Sequence, residues 1–173
     1  MSTRHTVIDT AALGPVTIVA ADAEVTGLYF RHHIRRPAQE LFGPSVSFVD
    51  DIVLGEAVGQ LLEYLLGQRH SFDLPLSPTG DEFQQQVWEQ VSTIPFGATT
   101  TYGQIAQRLG DRSAAYRVGQ AVGANPLCIF IPCHRVIGAT GSLTGYAGGL
   151  DRKRTLLELE LELEDAVSAG RLF

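Results

Sequence analysis

No apolar run in this sequence approaches the roughly 20 residues that a bilayer-spanning helix needs, and no basic-then-apolar leader opens it. A soluble cytoplasmic protein with no membrane partner is the expectation. Cysteine is scarce: only Cys128 and Cys133 occur, five positions apart. That excludes a disulfide-built scaffold and any recognised zinc spacing, so no metal site is expected. Along an extended strand an odd separation puts two side chains on opposite faces, so both are expected as free thiols. Positive charge is also in deficit, with 13 Lys and Arg against 19 Asp and Glu and a formal net charge of −6. Such a balance argues against a protein that coats nucleic acid indiscriminately. The deficit is uneven. Arg108, Arg112, Arg117, Arg135, Arg152, Lys153 and Arg154 are opposed within their span only by Asp111 and Asp151. A local excess of that kind suits a short stretch of phosphate backbone, although charge alone does not separate it from an ordinary charged surface.

What is present begins with a composition 45% apolar over 173 residues, enough for one domain or two small ones. Short strands are expected over 7–9, 16–20 and 25–31, parted by turns at Gly14-Pro15 and Asp22-Ala23. Residues 33–50 read as loop. Leu54, Val58, Leu61, Leu62 and Leu65 then recur at helical spacing over 51–66, and Gly67 closes that helix. Residues 71–75 are a candidate edge strand, and Pro75 to Gly80 the linker, giving expected domains 1–77 and 78–173. Beyond it a helix over 81–94 is stopped by Pro95-Phe96-Gly97. Helices over 102–109, capped by Thr100 or Thr101, and 113–124, capped by Ser113, form a helix-turn-helix pair. The apolar run 127–131 reads as a buried strand ended by Pro132. A glycine-rich loop spans 138–149, and Asp151 caps a last helix in which leucines alternate with glutamates.

The chemistry is concentrated at Pro132-Cys133-His134-Arg135. Cysteine attacks as thiolate, and a neighbouring imidazole and guanidinium favour that form. On these residues alone a buried structural cysteine beside two surface cations is an equally good reading. The helix over 113–124 is rich in small side chains, whereas a helix reading major-groove base edges displays Arg, Asn or Gln. Small residues instead allow close backbone approach.

Taken with Phe83 to Trp88, Ile94-Pro95-Phe96-Gly97, Thr101-Tyr102-Gly103, Asn125-Pro126 and the stretch from Gly145 to Glu160, the Pro-Cys-His-Arg motif resembles the O6-alkylguanine-DNA alkyltransferases. The resemblance implies an α+β fold, with an RNase H-like α/β N-terminal domain and a helical winged-helix-like DNA-binding domain carrying the active-site cysteine. It implies a monomer without cofactor that binds double-stranded DNA through the minor groove, flips a nucleotide and acts once. The alkyl group of O6-alkylguanine, or less readily O4-alkylthymine, would pass irreversibly to Cys133.

By the same resemblance Glu160 orients His134, and His134 takes the Cys133 proton through a bridging water. Tyr146 protonates the departing guanine, and Asn125 is the hinge before the active-site segment. Tyr102, Val122, Tyr146, Ala147 and Gly148 would hold the substrate base. Ala115, Tyr116, Arg117, Gly119, Gly123, Arg135 and Lys153 would face DNA, with Arg135 as readily a structural residue. The family arginine that fills the gap left by the base falls here on Tyr116, with Arg117 next to it. Glu158 and Glu162 leave the register of Glu160 open to a slip of two. Rival readings are a noncatalytic lesion binder, opposed by the presence of Cys133; a cysteine hydrolase, opposed by the adjacency of His134; and a helix-turn-helix regulator, opposed by the lack of base-reading side chains.

Overall fold

The structure, a computed structural model, describes residues 2–168; Met1 and residues 169–173, the outer ends of the two expected domains, lie outside it. Three strands, β1 (Thr3–Thr10), β2 (Gly14–Ala21) and β3 (Glu24–Phe30), form an antiparallel meander in the order β1-β2-β3. The Asp22-Ala23 turn pairs Ala21 with Glu24, and Asp22 adopts φ 53°, the left-handed conformation that short hairpin turns require and Asp tolerates. Helix α1 (Ile52–Leu65) starts where Asp51 accepts a hydrogen bond from the Leu54 N–H at 3.0 Å. Its apolar stripe of Leu54, Ala57, Val58, Leu61 and Tyr64 is buried against the sheet. Residues 71–75 do not form a strand. They lead to a single bridge between Leu76 and Val25, which leaves 75–77 tied to β3 rather than free as a linker.

His33 closes the end of the sheet. Its ring stacks on Phe30 at 5.8 Å and its Nδ1 accepts the Phe30 N–H at 3.2 Å, which requires the neutral form. Burial, reinforced by Arg36 and Arg152, lowers its pKa to about 4. The unfolded chain, titrating near ~6.5, binds the proton more tightly than the folded one. This contribution to stability is therefore complete above pH ~6.5 and lost as pH falls towards 4, by up to about 3 kcal/mol. Urea unfolding at about pH 7 and about pH 4.5 should show the loss, and His33→Gln should reduce it. Equal pH dependence in the two proteins would contradict the assignment.

The second half contains α2 (Glu82–Ser92), β4 (Thr100–Thr101), α3 (Tyr102–Arg108), α4 (Ala115–Gly123), β5 (Val136–Ile137) and α5 (Leu150–Ser168). Asp81 with Gln84, and Thr101 with Gln104, form reciprocal capping boxes at the starts of α2 and α3. Trp88 of α2 donates its indole N–H to the Ala121 carbonyl at 2.8 Å, locking α2 onto α4. Two expected caps are corrected. Asp111, not Ser113, accepts the Ser113 N–H at 3.0 Å and starts a 3-10 turn (Arg112–Ala114) that runs into α4. Helix α5 begins at Leu150, following Gly149 at φ 90°, so Asp151 lies in its first turn. One continuous apolar core joins the sheet, α1, α2 and α4, because Leu28 and Leu127 of the two halves pack side by side. No helix among the described residues is long and apolar enough to cross a membrane.

Candidate active site

The run 127–131 is not a strand. Asn125 clamps both ends of it, accepting the Leu127 N–H at 2.9 Å and donating its side-chain amide to the Ile131 carbonyl at 2.9 Å. Between the clamps the chain doubles back, the Ile131 N–H donating to Leu127 O at 2.8 Å, with Ile129 at φ 74°. A β-branched residue in that region is strained by about 1–3 kcal/mol, which burial of the whole turn offsets. Pro132 (φ −79°, ψ 62°) makes an inverse γ-turn, closed by the Cys133 N–H on Ile131 O at 2.7 Å. A 3-10 turn (Cys133–Arg135) follows. The doubling back overturns the expectation that the two cysteines face apart. Both are free and buried, and their Sγ atoms lie 3.9 Å from each other.

Glu160 lies buried on α5, whereas Glu158 and Glu162 face solvent, which settles the register. Its carboxylate accepts hydrogen bonds from the Tyr64 hydroxyl at 2.6 Å, His134 Nε2 at 2.6 Å, Arg135 Nε at 2.8 Å, Arg135 Nη2 at 3.0 Å and the Gly97 N–H at 3.2 Å. Burial by itself would raise the pKa of Glu160, but the His134 and Arg135 donors outweigh it and hold the group at about 2. An ionised carboxylate only accepts, so His134 donates through Nε2 and keeps Nδ1 as its lone-pair nitrogen. That Nδ1 is buried and has no hydrogen-bond partner among the described residues. Burial lowers the His134 pKa despite Glu160, so the imidazole is neutral and able to take a proton. The Cys133 thiol is lowered too, by the Cys128 thiol first and then by the Asn125 amide and the Lys153 charge, all against burial.

A cleft of about 600 Å³ opens beside this group, lined by Tyr102, Ala115, Tyr116, Gly119, Tyr146 and Ala147 among others. The Tyr102 hydroxyl donates to Thr144 O at 3.1 Å. The Tyr146 hydroxyl is buried without a hydrogen-bond partner among the described residues; burial, then the Cys128 and Cys133 sulfurs, push its pKa well up. Gly123 also borders the cleft, and nothing stands within 4 Å of where its Cβ would be.

Several expected residues lie elsewhere. Val122 is buried in the core, and Gly148 is packed so closely on Phe30 that a Cβ would meet the ring at 2.4 Å. Arg135 is buried, its donors consumed by Glu160 and the Ile94 carbonyl at 2.7 Å, so it is structural rather than a DNA contact. Lys153 is fully buried, donating to Val136 O at 2.6 Å and Thr144 O at 2.7 Å, where it braces the loop over the cleft. Arg117 turns away from the cleft, its guanidinium 4.2 Å from the Phe83 ring centroid. Tyr116 is 78% exposed at the cleft rim.

The chain is similar in sequence and fold to known proteins. A family model for the DNA-binding domain of 6-O-methylguanine DNA methyltransferase matches residues 82–162. A methylated-DNA–protein-cysteine methyltransferase of Mycobacterium tuberculosis is 44% identical over 148 residues, covering 86% of this chain and 87% of its own. The chain belongs to this methyltransferase family. A Methanosarcina acetivorans member is 53% identical over 105 residues, 61% of this chain and 67% of its own. The crystal structure of M. tuberculosis OGT in complex with DNA superposes with a TM-score of 0.84 at 42% identity, over 92% of this chain and 94% of that one.

The matched segment of this methyltransferase holds Cys133, His134, Arg135 and Glu160, yet the site reaches beyond it. Tyr64 on α1 and Ile34 and Arg35 at the cleft rim come from the N-terminal half. The helical period marks Tyr64 as buried on the stripe of α1, where its hydroxyl needs a partner, but nothing local names Glu160 as that partner. Arg35, at φ 61° in a loop, carries no sequence signal. No group of three or more potential metal ligands occurs among the described residues.

Proposed function

We propose that the chain repairs DNA by moving the alkyl group of O6-alkylguanine, and less readily of O4-alkylthymine, irreversibly onto Cys133. The observation that carries this reading is the buried Cys133, next in the chain to the His134–Glu160 pair and close enough to Tyr102 and Tyr146 of the cleft wall for its charge to act on both hydroxyls. In this reading His134 Nδ1 takes the thiol proton through one bridging water, and Glu160 steadies the resulting imidazolium. The thiolate attacks the alkyl carbon, the S–C bond forms, and the O6–C electron pair leaves with the guanine. Tyr146 protonates the guanine and recovers its proton through His134. The thioether product has no route back to thiol, so each molecule acts once. Residues 1–77 serve as an RNase H-like support and 78–173 as a winged-helix-like DNA domain.

Duplex DNA would meet the small-residue face of α4 through its minor groove, where Ala115, Gly119 and Gly123 allow close approach. The target nucleotide must leave the stack, at a few kcal/mol. The exposed ring of Tyr116 would fill the gap, a reading supported by Arg117 being held against Phe83. Tyr116→Ala should therefore slow transfer from alkylated duplex by roughly five- to a hundredfold, the equivalent of about 1–3 kcal/mol of stacking, and leave reaction with free O6-benzylguanine unchanged. Arg117→Ala should show a smaller loss that shrinks at high salt. Single-turnover rates on both substrates test the pair; the reverse ranking would move the plug to Arg117.

A further inference from the structure

The alkyl-transfer mechanism uses Cys133 and leaves Cys128 idle, although the two sulfurs are 3.9 Å apart in a turn that the Asn125 clamp fixes. We propose that Cys128 is a positioning residue for the transfer: its S–H donates to the Cys133 sulfur and keeps the negative charge of the pair on the nucleophile.

The surroundings decide which sulfur carries the charge. Cys128 Sγ lies 3.9 Å from the Asn125 backbone carbonyl, whose negative end disfavours a thiolate and offers the S–H an alternative acceptor. Cys128 is also fully buried within the turn. Cys133 instead has the Asn125 side-chain amide and the buried Lys153 ammonium near it, both of which favour an anion. In the structure the Cys133 S–H donates to Cys128 Sγ and the Cys128 S–H to the Asn125 carbonyl. Once Cys133 is ionised, rotation about the Cys128 Cβ–Sγ bond swings the remaining proton from the carbonyl to the Cys133 sulfur. Hydrogen bonds to an ionised acceptor are about twice as strong as neutral ones, so the donor favours the thiolate over the thiol. The neighbouring Cys133 sulfur first, and then burial, push the Cys128 thiol up, in accord with its retaining the proton.

This inference rests on the alkyl-transfer reading, and the test separates the two. Carbamidomethylation of Cys133 by iodoacetamide, located by peptide mapping and followed against pH, reports ionisation without DNA. Cys128→Ala and Cys128→Val should raise the midpoint by about one pH unit, slowing the reaction about tenfold below it. Cys128→Ser, which retains a donor, should stay near the native midpoint. All four proteins should converge at high pH, where Cys133 is ionised regardless. An unchanged midpoint in Cys128→Ala and Cys128→Val, an equal shift in Cys128→Ser, or a lowered high-pH plateau without a shift would overturn the proposal, the last by marking a packing role. Absence of transfer from alkylated DNA with the midpoint shifts intact would count against the functional reading, not against Cys128.

Discussion

Glu160→Gln should slow alkyl transfer from duplex DNA by about 10²–10⁴-fold, while Glu158→Gln and Glu162→Gln leave the rate close to native. The amide can no longer hold His134 through a charge-assisted bond, so the base loses both its tautomer and the partner that stabilises its protonated form. The midpoint of the pH–rate profile should also rise, because Cys133 gives up its proton to a poorer base. The same change leaves Arg135 buried without the carboxylate that now accepts from its Nε at 2.8 Å. Breaking a buried pair from one side costs about 3–5 kcal/mol, so urea unfolding should record a large loss of stability alongside the kinetic one. Rates are therefore compared under conditions where each variant is shown to be folded. Damage from Glu158→Gln with a silent Glu160→Gln would contradict the hydrogen-bond pattern around α5.

Cys133→Ala should abolish transfer altogether while leaving affinity for duplex DNA within a few-fold of native. Cys133 is buried, only 3% exposed, whereas the face proposed to meet DNA is formed by Tyr116 and the small residues of α4. Removing a buried sulfur does not alter that face. Cys128 is not expected to substitute, because it is fully buried, its thiol is pushed up and its S–H is held by the Asn125 carbonyl. Fluorescence anisotropy on a labelled duplex and a transfer assay on the same preparation check both halves. Residual alkyl transfer in Cys133→Ala would show a second nucleophile.

Much of this arrangement was legible in the residues. The stripe of α1, the capping role of Thr101 before α3 and the existence of the three N-terminal strands follow from periodicity, although the first turn lies at 11–13 and not at Gly14-Pro15, which open β2 paired to Thr10 and Asp9. The Pro-Cys-His-Arg motif located the site. What failed did so for physical reasons. The run 127–131 is apolar because it is buried, and burial does not distinguish a strand from a turn folded back under the clamp of Asn125. That error set Cys128 and Cys133 apart when they touch. The resemblance put Lys153, and Arg135 in one of its two readings, toward DNA; here a pair of carbonyls and a carboxylate satisfy them internally. Glu160 was ambiguous between three glutamates two apart, and only the helical turn of α5, which sends Glu158 and Glu162 to solvent, resolves it. Tyr64 reaches the site from another helix, a contact across 96 positions that no local pattern encodes.

The central claim is that Cys133 itself takes the alkyl group, once. Intact-protein mass, followed by peptide mapping, after incubation with excess O6-methylguanine duplex tests it most directly. The expected result is a gain of one methyl group per molecule, located on the peptide carrying Cys133, with repaired DNA equal to protein in amount and no further turnover. Methyl on Cys128, continued turnover, or repaired DNA with unmodified protein would contradict it.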